Sequence, residues 1–359
     1  MANRSLAARL YSGQVSYDFV GRRKLWYLLS GVIVLVAIFG LGTKGLNLGL
    51  DFKGGSQFQV KTNASVADGR AAARDAGIED AVVTKVGTDK LQWRTTTLES
   101  SEIASVTATL ANTFKVAEAE VATETVGPTW GKEITSKATQ GLVVFLILVS
   151  LFLSLYFQWQ MALAAIFALA HDLVITVGIY ALSGFEVTPA TVIGVLTILG
   201  FSLYDTVVVF DKVRENTAGI TKSSKMTYSE AANLALNQTL VRSINTSIIA
   251  VLPVASILVI GVGFLGAGTL KDLALALFVG TLAGTYSSIF VATPFLAQIR
   301  ERNPQMRALA KRVAARRAAD DGREPGLETD LPTDSGTTIP VRQVGERAQP
   351  KRNIPRSKR

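Results

Sequence analysis

The chain of 359 residues contains no cysteine and only one histidine. The lack of cysteine excludes disulfide scaffolds and thiolate metal centres, and a single histidine excludes a histidine-rich metal site. Charged residues are also scarce, at 18% of the chain, against about 25% in an ordinary soluble protein. Hydrophobic residues make up 48% and the mean hydropathy is +0.32. This composition excludes disordered proteins, collagens and ordinary cytosolic enzymes.

The net charge of +9 is located mainly at the C-terminal end of the chain. Residues 298–359 hold 15 Lys/Arg and 8 Asp/Glu, a net of +7, and the rest of the chain holds 22 against 20. The basic charge therefore belongs to one terminal segment. We expect no nucleic-acid partner on this ground.

Long apolar runs predict six membrane-spanning helices, since about 20 residues cross the hydrocarbon core of a bilayer. The predicted spans are 25–42, 141–158, 161–183, 189–210, 243–264 and 272–297. Three basic residues precede the first span, as in a signal peptide, but no small-x-small cleavage site follows it. We therefore expect this run to remain as an anchor.

The positions of Lys and Arg predict the orientation of the chain. The segment before the first span, the loop after the fourth and the segment after the sixth are all basic, so that side is expected to be cytoplasmic. The predicted organisation is a cytoplasmic N-terminus, a first helix, an extracytoplasmic domain, helices two to six, and a basic, disordered cytoplasmic tail, over residues 1–24, 25–42, 43–139, 140–297 and 298–359. Residues 304–319 of the tail are a candidate short helix.

The extracytoplasmic stretch predicts a small α+β domain. Alternating residues indicate strands at 57–60, 81–86, 91–97 and 116–126, and helical spacing indicates helices at 66–76 and 101–114. The order βαββαβ is typical of a ferredoxin-like fold. A further helix, in or on the membrane surface, is predicted over 228–240.

Ionisable side chains at membrane depth cost about 2.5–3.5 kcal/mol on insertion scales, so each requires a reason. Asp172 lies near the middle of the third span, beside His171, and helix–helix hydrogen bonds alone would account for this pair. Asp205 in the fourth span either reaches the cytoplasmic interface or has a function. Arg242, which opens the fifth span, is either an ordinary basic flank or a partner of Asp205. A carboxylate that alternates between protonation and pairing with an arginine is a candidate proton relay.

Two glycines in the sixth span, Gly280 and Gly284, form a GxxxG pattern that favours close helix packing. The sequence has no P-loop, nucleophile elbow or HExxH motif, so we expect no ATP site, metal or cofactor and no catalytic reaction.

Six local strings carry a resemblance to a known family. They are LNLGLDFKGG at 46–55, Val126-Gly127-Pro128 with Gly131, the His171-Asp172 pair, LGFSLYDTVVVFD at 199–211, NQTLVRSINTS at 237–247 and GTYSS at 284–288. In this order and with this topology, the chain resembles the SecD/SecF family of Sec protein-export membrane subunits, and its SecF members in particular. That family is related to the resistance-nodulation-division (RND) transporters.

The resemblance implies a SecF-like subunit of the bacterial cytoplasmic membrane, which uses the proton gradient together with SecD to promote preprotein translocation. Its implied partners are SecD, the SecYEG translocon, unfolded preproteins and membrane lipids. It assigns the proton pathway to Asp205 and Arg242, with His171 and Asp172 as further candidates. Tyr204 stands where the family commonly has Asn, which removes a possible hydrogen-bonding neighbour of Asp205.

Two other functions stay open on the residues alone. One is a half-size RND-type exporter of small molecules or lipids, although such exporters usually have larger outside domains than 43–139. The other is a purely structural membrane subunit, in which the buried ionisable residues only hold helices together.

Overall fold

The computed structural model describes residues 16–86, 89–264 and 271–321. By contacts, the chain divides into two units, Met1–Arg316 and Arg317–Arg359. The elements below belong to the first unit, apart from the last residues of the final helix. Residues 87–88, between the strands predicted at 81–86 and 91–97, and residues 265–270, between the last two predicted spans, lie outside the described residues.

The chain enters the fold through a long apolar helix, α1 (Arg23–Lys44), whose 22 residues are enough to cross a bilayer. A short strand, β1 (Asn47–Leu48), and a one-turn helix, α2 (Leu50–Lys53), follow. Gly54 and Gly55 then have φ values of 73° and 132°, which favour glycine. A Cβ on Gly55 would lie 2.3 Å from the carbonyl oxygen of Thr95. The glycine pair therefore lets the chain turn from α2 directly into a sheet.

A four-stranded antiparallel sheet and two helices form the α+β domain. Its elements are β2 (Gly55–Lys61), α3 (Val66–Asp75), β3 (Val82–Val86), β4 (Lys90–Thr95), α4 (Ser100–Phe114) and β5 (Ala122–Val126). The strands lie in the order β3-β4-β2-β5. The chain order is the βαββαβ order that the sequence predicts, and the strand order is that of a split βαβ unit.

One face of the sheet supplies the core of this domain. Phe58 and Val60 of β2 and Leu91 and Trp93 of β4 are fully buried, because alternate residues of a strand point to the same face. Helix α3 begins with a capping box in which the side chain and backbone amide of Ser65 donate to Asp68 at 2.8 and 2.9 Å. These bonds hold the pKa of that exposed carboxyl below its ordinary value. The last predicted strand is shorter than expected, since Glu118–Glu120 form a 3-10 turn before β5.

The second long helix, α5 (Pro128–Tyr156), begins directly after β5, well before the predicted span at 141–158. A Cβ on Gly131 would lie 2.8 Å from the carbonyl oxygen of Phe52, so the start of α5 packs against α2. Helix α6 (Trp159–Ser183) follows, then strand β6 (Glu186–Val187), which pairs in parallel with β1. The capping box of Thr188 begins α7 (Pro189–Asn216).

Helix α8 (Tyr228–Ser256) is continuous and extends as a π-helix over Ile257–Phe264. The prediction of a separate surface helix at 228–240 is therefore wrong. The reason is local: no Gly or Pro lies between Tyr228 and Leu252 to interrupt the helix. The last span consists of α9 (Lys271–Ser287), a π-helical segment (Ser288–Ala292) and α10 (Thr293–Glu301). With these, six helices among the described residues are long and apolar enough to cross a membrane.

A final helix, α11 (Pro304–Asp321), lies where the sequence predicts a candidate short helix at 304–319. Met306, Leu309 and Val313 lie at helical spacing and are 8%, 0% and 1% exposed. They belong to the same core cluster as residues of α6, α7 and α8. This apolar stripe was overlooked because basic residues surround it. Residues 322–359 of the predicted tail lie outside the described part of the chain.

Candidate functional site

Close contact between α7 and α9 brings polar side chains together inside the helix bundle. A Cβ on Gly280 would lie 2.2 Å from Cγ2 of Ile198, and a Cβ on Gly284 would lie 2.7 Å from Cβ of Ser202. Small residues let two helix backbones approach in this way. Gly280 and Gly284 thus set the distance between the two helices that carry most of the site.

Asp172 of α6 forms the first carboxylate site and is fully buried. Its Oδ2 accepts hydrogen bonds from the hydroxyls of Ser202 on α7 and Ser287 on α9, at 2.5 and 2.8 Å. Its Oδ1 lies 3.2 Å from Nδ1 of His171. Asp172 therefore joins three helices through side-chain hydrogen bonds.

Asp205 of α7 forms the second carboxylate site and is 5% exposed. Its Oδ1 accepts from the hydroxyl of Ser243 on α8 at 2.7 Å, and its Oδ2 accepts from the hydroxyl of Ser288 at 2.5 Å. No cation lies within 4.0 Å of this carboxylate among the described residues. Asp205 is thus held by hydroxyl groups alone.

Two consecutive serines connect the two carboxylate sites. Ser287 is the last residue of α9 and donates to Asp172, and Ser288 is the first residue of the π-helical segment and donates to Asp205. The helix therefore changes its winding at the point where both carboxylates bind, and π-helical turns occur frequently at functional sites. The two carboxylates are thus hydrogen-bonded to residues that are joined by a single peptide unit.

Further hydroxyl groups extend the site along α8 and α9. The hydroxyls of Ser247 and Thr285 lie 2.6 Å apart, and Ser247 also donates to the carbonyl oxygen of Ser243 at 2.7 Å. Ser243, Ser247 and Thr281 are 1%, 7% and 2% exposed. The result is a polar layer inside the bundle that is largely shielded from the outer surface of the helices.

Arg242 does not pair with Asp205 in this arrangement, although such a pair was one of the two alternatives that the sequence left open. Its Nη2 donates instead to the hydroxyl of Tyr204 at 2.9 Å, and its guanidinium lies 5.9 Å from the centre of that ring. Arg242 and Tyr204 are both exposed, whereas the next residues, Ser243 and Asp205, are both buried. Successive residues of a helix point in different directions. In each of the two pairs, therefore, the first residue lies at the surface and the second lies in the interior. Tyr204 thus accepts a hydrogen bond from Arg242. This contact was not predicted from the sequence, in which Tyr204 stands where the family commonly has Asn.

His171 lies beside Asp172 at the edge of the site. Its ring stacks on that of Tyr286 with centroids 6.1 Å apart, and the Tyr286 hydroxyl lies 2.9 Å from that of Ser30 on α1. Within the described chain, Nε2 of His171 is buried and has no hydrogen-bond partner. Of the two ring nitrogens, Nδ1 is thus directed at the carboxylate, and Nε2 has no partner among the described residues.

The serines that bind the carboxylates were not identified as functional from the sequence. The available signal was that three predicted spans each carry a hydroxyl residue near the depth of a buried carboxylate. No group of three or more His, Cys, Asp or Glu that could hold a metal is present in the described ranges.

An ion pair joins the α+β domain to the end of the bundle at which α6 and α7 are connected. Nη1 of Arg94 on β4 lies 2.8 Å from Oε1 of Glu186 on β6, with side chains 15% and 23% exposed. The pairing of β1 with β6 reinforces this contact, because the amide of Gly49 also donates to the carbonyl oxygen of Val187 at 2.8 Å. The domain is therefore attached to the connection between α6 and α7, and α7 carries Asp205.

Comparison with known proteins identifies the family. The model of the C-terminal region of the protein export membrane proteins SecD/SecF matches residues 105–302, and that of the SecD/SecF GG motif matches residues 39–66. The chain is 48% identical over 360 residues to protein translocase subunit SecF of Streptomyces coelicolor, covering 96% of the chain and 95% of that relative. It is 42% identical over 369 residues to protein translocase subunit SecF of Mycobacterium tuberculosis, covering 98% and 84%.

Solved structures give the same result. The crystal structure of SecDF from Thermus thermophilus, described as a translocon-associated membrane protein, is similar with a TM-score of 0.72 and 32% identity, covering 80% of the chain and 39% of that structure. SecDF in its super-membrane-facing form is similar with a TM-score of 0.57 and 30% identity, covering 85% and 40%. The chain thus spans about two fifths of these SecDF structures. From the family models and these relatives, the chain belongs to the SecD/SecF family of protein export membrane proteins.

Proposed function

We propose that the chain is a SecF-like subunit of the Sec machinery, which uses the proton gradient to promote preprotein translocation across the bacterial cytoplasmic membrane. The name and near-complete coverage of the Streptomyces coelicolor relative support this function. Matching SecDF chains are longer, and this chain covers about 40% of them. The remaining part would be supplied here by a separate SecD partner. SecYEG and unfolded preproteins would be the further partners.

The α+β domain would lie on the outer side of the membrane, and both chain termini would be cytoplasmic. The distribution of Lys and Arg supports this orientation. The domain is connected to α1 and α5, and its Arg94–Glu186 contact lies at the same end of the bundle. This position would allow movement of the helices to reach a domain that holds an emerging preprotein.

The single observation that carries the proton-driven role is the hydroxyl environment of Asp205. A hydroxyl donates to an ionised carboxylate and accepts from a protonated one, whereas a guanidinium or a backbone amide can only donate. Ser243 and Ser288 can therefore satisfy Asp205 in both charge states. A residue that served only to hold helices together would not need partners of this kind.

Proton binding at Asp205 would change the geometry of the bundle. The protonated oxygen becomes a donor, so the hydrogen bond with either Ser243 or Ser288 must reverse its direction. Because Ser288 follows Ser287, the change would reach Asp172 and then His171. One charge moved across 100 mV releases about 2.3 kcal/mol, which is comparable to the gap between two states of a packed helix pair.

Arg242 is included in the proposed proton pathway because it lies next to a residue that binds Asp205. It precedes Ser243, the donor to Asp205, so movement of α8 that shifts one residue also shifts the other. In the described arrangement its charge is directed toward Tyr204. A rotation of α8 would exchange this contact for one with Asp205, which is the alternation that a relay requires.

The test is an export assay in cells or vesicles with an imposed proton gradient and matched protein levels. Asp205→Asn keeps the shape of the side chain but cannot ionise, so we expect normal assembly and loss of gradient-dependent export. Glu133→Gln is the control, because it makes the same chemical change at an exposed residue of α5. Export at the wild-type rate by Asp205→Asn would refute the relay and favour a structural subunit.

A further inference from the structure

A groove of about 480 Å³ lies between the start of α6 and the end of α10. Its apolar wall is formed by Trp159 and Leu163 of α6 and by Phe295 and Ile299 of α10. Trp159 and Leu163 are 66% and 46% exposed. The groove therefore opens toward the side of the bundle that faces lipid, and not toward the buried carboxylates.

The other end of the groove is polar. It is lined by Gln298 and by Arg302, an exposed residue just beyond α10. The lining residues in the described chain include one cation and no acidic residue. The nearest carboxylate along the chain, Glu301, is held by Arg23 at 2.7 Å and by the hydroxyl of Ser229, so it does not neutralise Arg302.

Two polar groups at this end have no side-chain partner within the ranges that the structure covers. Arg302 forms no ion pair within 4.0 Å in the ranges that the structure covers. The Oε1 atom of Gln298 is buried and accepts no hydrogen bond there, and a buried acceptor without a donor is unfavourable. The groove thus presents a positive charge for an anion, and beside it lies an unpartnered amide oxygen that a hydroxyl donor reaches once the Gln298 side chain turns toward the groove.

We propose that this groove binds phosphatidylglycerol, an anionic phospholipid whose headgroup carries hydroxyl groups. The phosphate lies at Arg302, a headgroup hydroxyl donates to Oε1 of Gln298, and an acyl chain lies along Leu163, Phe295 and Ile299. Trp159 stands at the boundary between the two parts, where amphipathic tryptophan rings are enriched in membrane proteins. Free phosphate lacks the chain that the apolar wall requires, and phosphatidylcholine lacks both the net charge and the donor.

The groove is connected to the buried carboxylates through the last span. Helix α10 continues directly from the π-helical segment that contains Ser288. The ring of Phe295 also stacks on that of Phe167 in α6, with centroids 4.4 Å apart. A bound lipid would therefore stabilise the contact between α6 and the last span at the end nearest to the groove.

The experiment measures lipid retention by the full chain in mild detergent, by native mass spectrometry with added phosphatidylglycerol or phosphatidylcholine. We expect a clear preference for phosphatidylglycerol. Arg302→Gln should bind it about fivefold more weakly, as expected for one lost contact between a basic side chain and an anionic lipid. Arg307→Gln is the control, since it removes an exposed charge from α11 outside the groove, and it should bind as the wild type does.

A second variant tests the apolar wall independently of charge. Leu163→Trp fills the groove from a position that is already half exposed, so it should fold and should reduce retention of phosphatidylglycerol. Equal retention of the two lipids by the wild type would overturn the proposal. Equal loss in Arg302→Gln and Arg307→Gln would also overturn it, because the attraction would then be a general effect of basic charge.

Discussion

The contact between α7 and α9 can be tested by adding one methyl group to Gly280. In Gly280→Ala the new Cβ would lie 2.2 Å from Cγ2 of Ile198 and 2.9 Å from its Cβ and Cγ1. Carbon atoms in contact normally lie about 3.5–4.0 Å apart. Either α9 or α7 must therefore move by roughly an ångström or more, since Ile198 is 4% exposed and has little room to change its rotamer.

The matched control is Gly200→Ala, on α7 itself. A Cβ at Gly200 would meet no atom within 4 Å. Both changes replace glycine by alanine inside a helix, so the gain in helix propensity of up to about 1 kcal/mol is shared and cancels. The difference that remains is the cost of overpacking, and we expect Gly280→Ala to be less stable than Gly200→Ala by about 1–3 kcal/mol.

The measurement is the free energy of unfolding in detergent, followed by export activity at matched protein levels. Export should fall in Gly280→Ala, because the hydrogen bonds of Ser287 and Ser288 to the carboxylates are 2.8 and 2.5 Å long and a shift of about 1 Å would break them. Equal stability of the two variants would refute the close approach of these helices. Lower stability with unchanged export would separate the packing from the proposed proton site.

Three further predictions concern other parts of the chain. Truncation after Arg302 should lower the free energy of unfolding by several kcal/mol, since burial of each of Met306, Leu309 and Val313 contributes about 1.5–3 kcal/mol. Truncation after Asp321 should leave the free energy of unfolding unchanged. Equal stability of the two truncated chains would contradict the packing of α11. Arg94→Gln should lower the free energy of unfolding by about 1 kcal/mol. A double-mutant cycle with Glu186→Gln should give a coupling energy of that size between the two residues. Additive effects of the two substitutions would show that the 2.8 Å contact contributes nothing to stability. Because the chain has no cysteine, a single introduced Cys is the only thiol that a reagent can label. A Cys at Ser183 should react with an impermeant thiol reagent added to intact cells, and a Cys at Ser223 should not. Labelling at Ser223 would contradict the proposed orientation.

The elements that follow from local patterns were predicted well from the sequence. Six apolar runs correspond to six long helices, and alternating residues in β2 and β4 correspond to the buried face of the sheet. Boundaries were less accurate where apolar pattern and helix did not coincide. Helix α5 begins at Pro128, and α8 at Tyr228, since a polar segment can continue a helix beyond the apolar run, in α5 even through Gly131 and Gly141.

The carboxylates of the site were predicted because an ionisable residue in an apolar run is conspicuous. Their partners were not, because serine is common in membrane helices and its meaning depends on which helix it faces. The helix that carries Ser243 also carries Arg242, and a difference of one residue decides which of them reaches Asp205. Depth along a span can be read from sequence, but rotation about the helix axis depends on packing of several spans at once.

The same reasoning explains why the two carboxylates must be considered together. Asp172 and Asp205 lie on different helices, and the sequence offers no direct relation between them. Gly280 and Gly284 bring α9 against α7, and the change of winding at Ser288 allows two consecutive hydroxyls to reach two different carboxylates. The π-helical segment is therefore the feature from which coupling between the two sites can be inferred, and a structure with Asp205 protonated should differ there first.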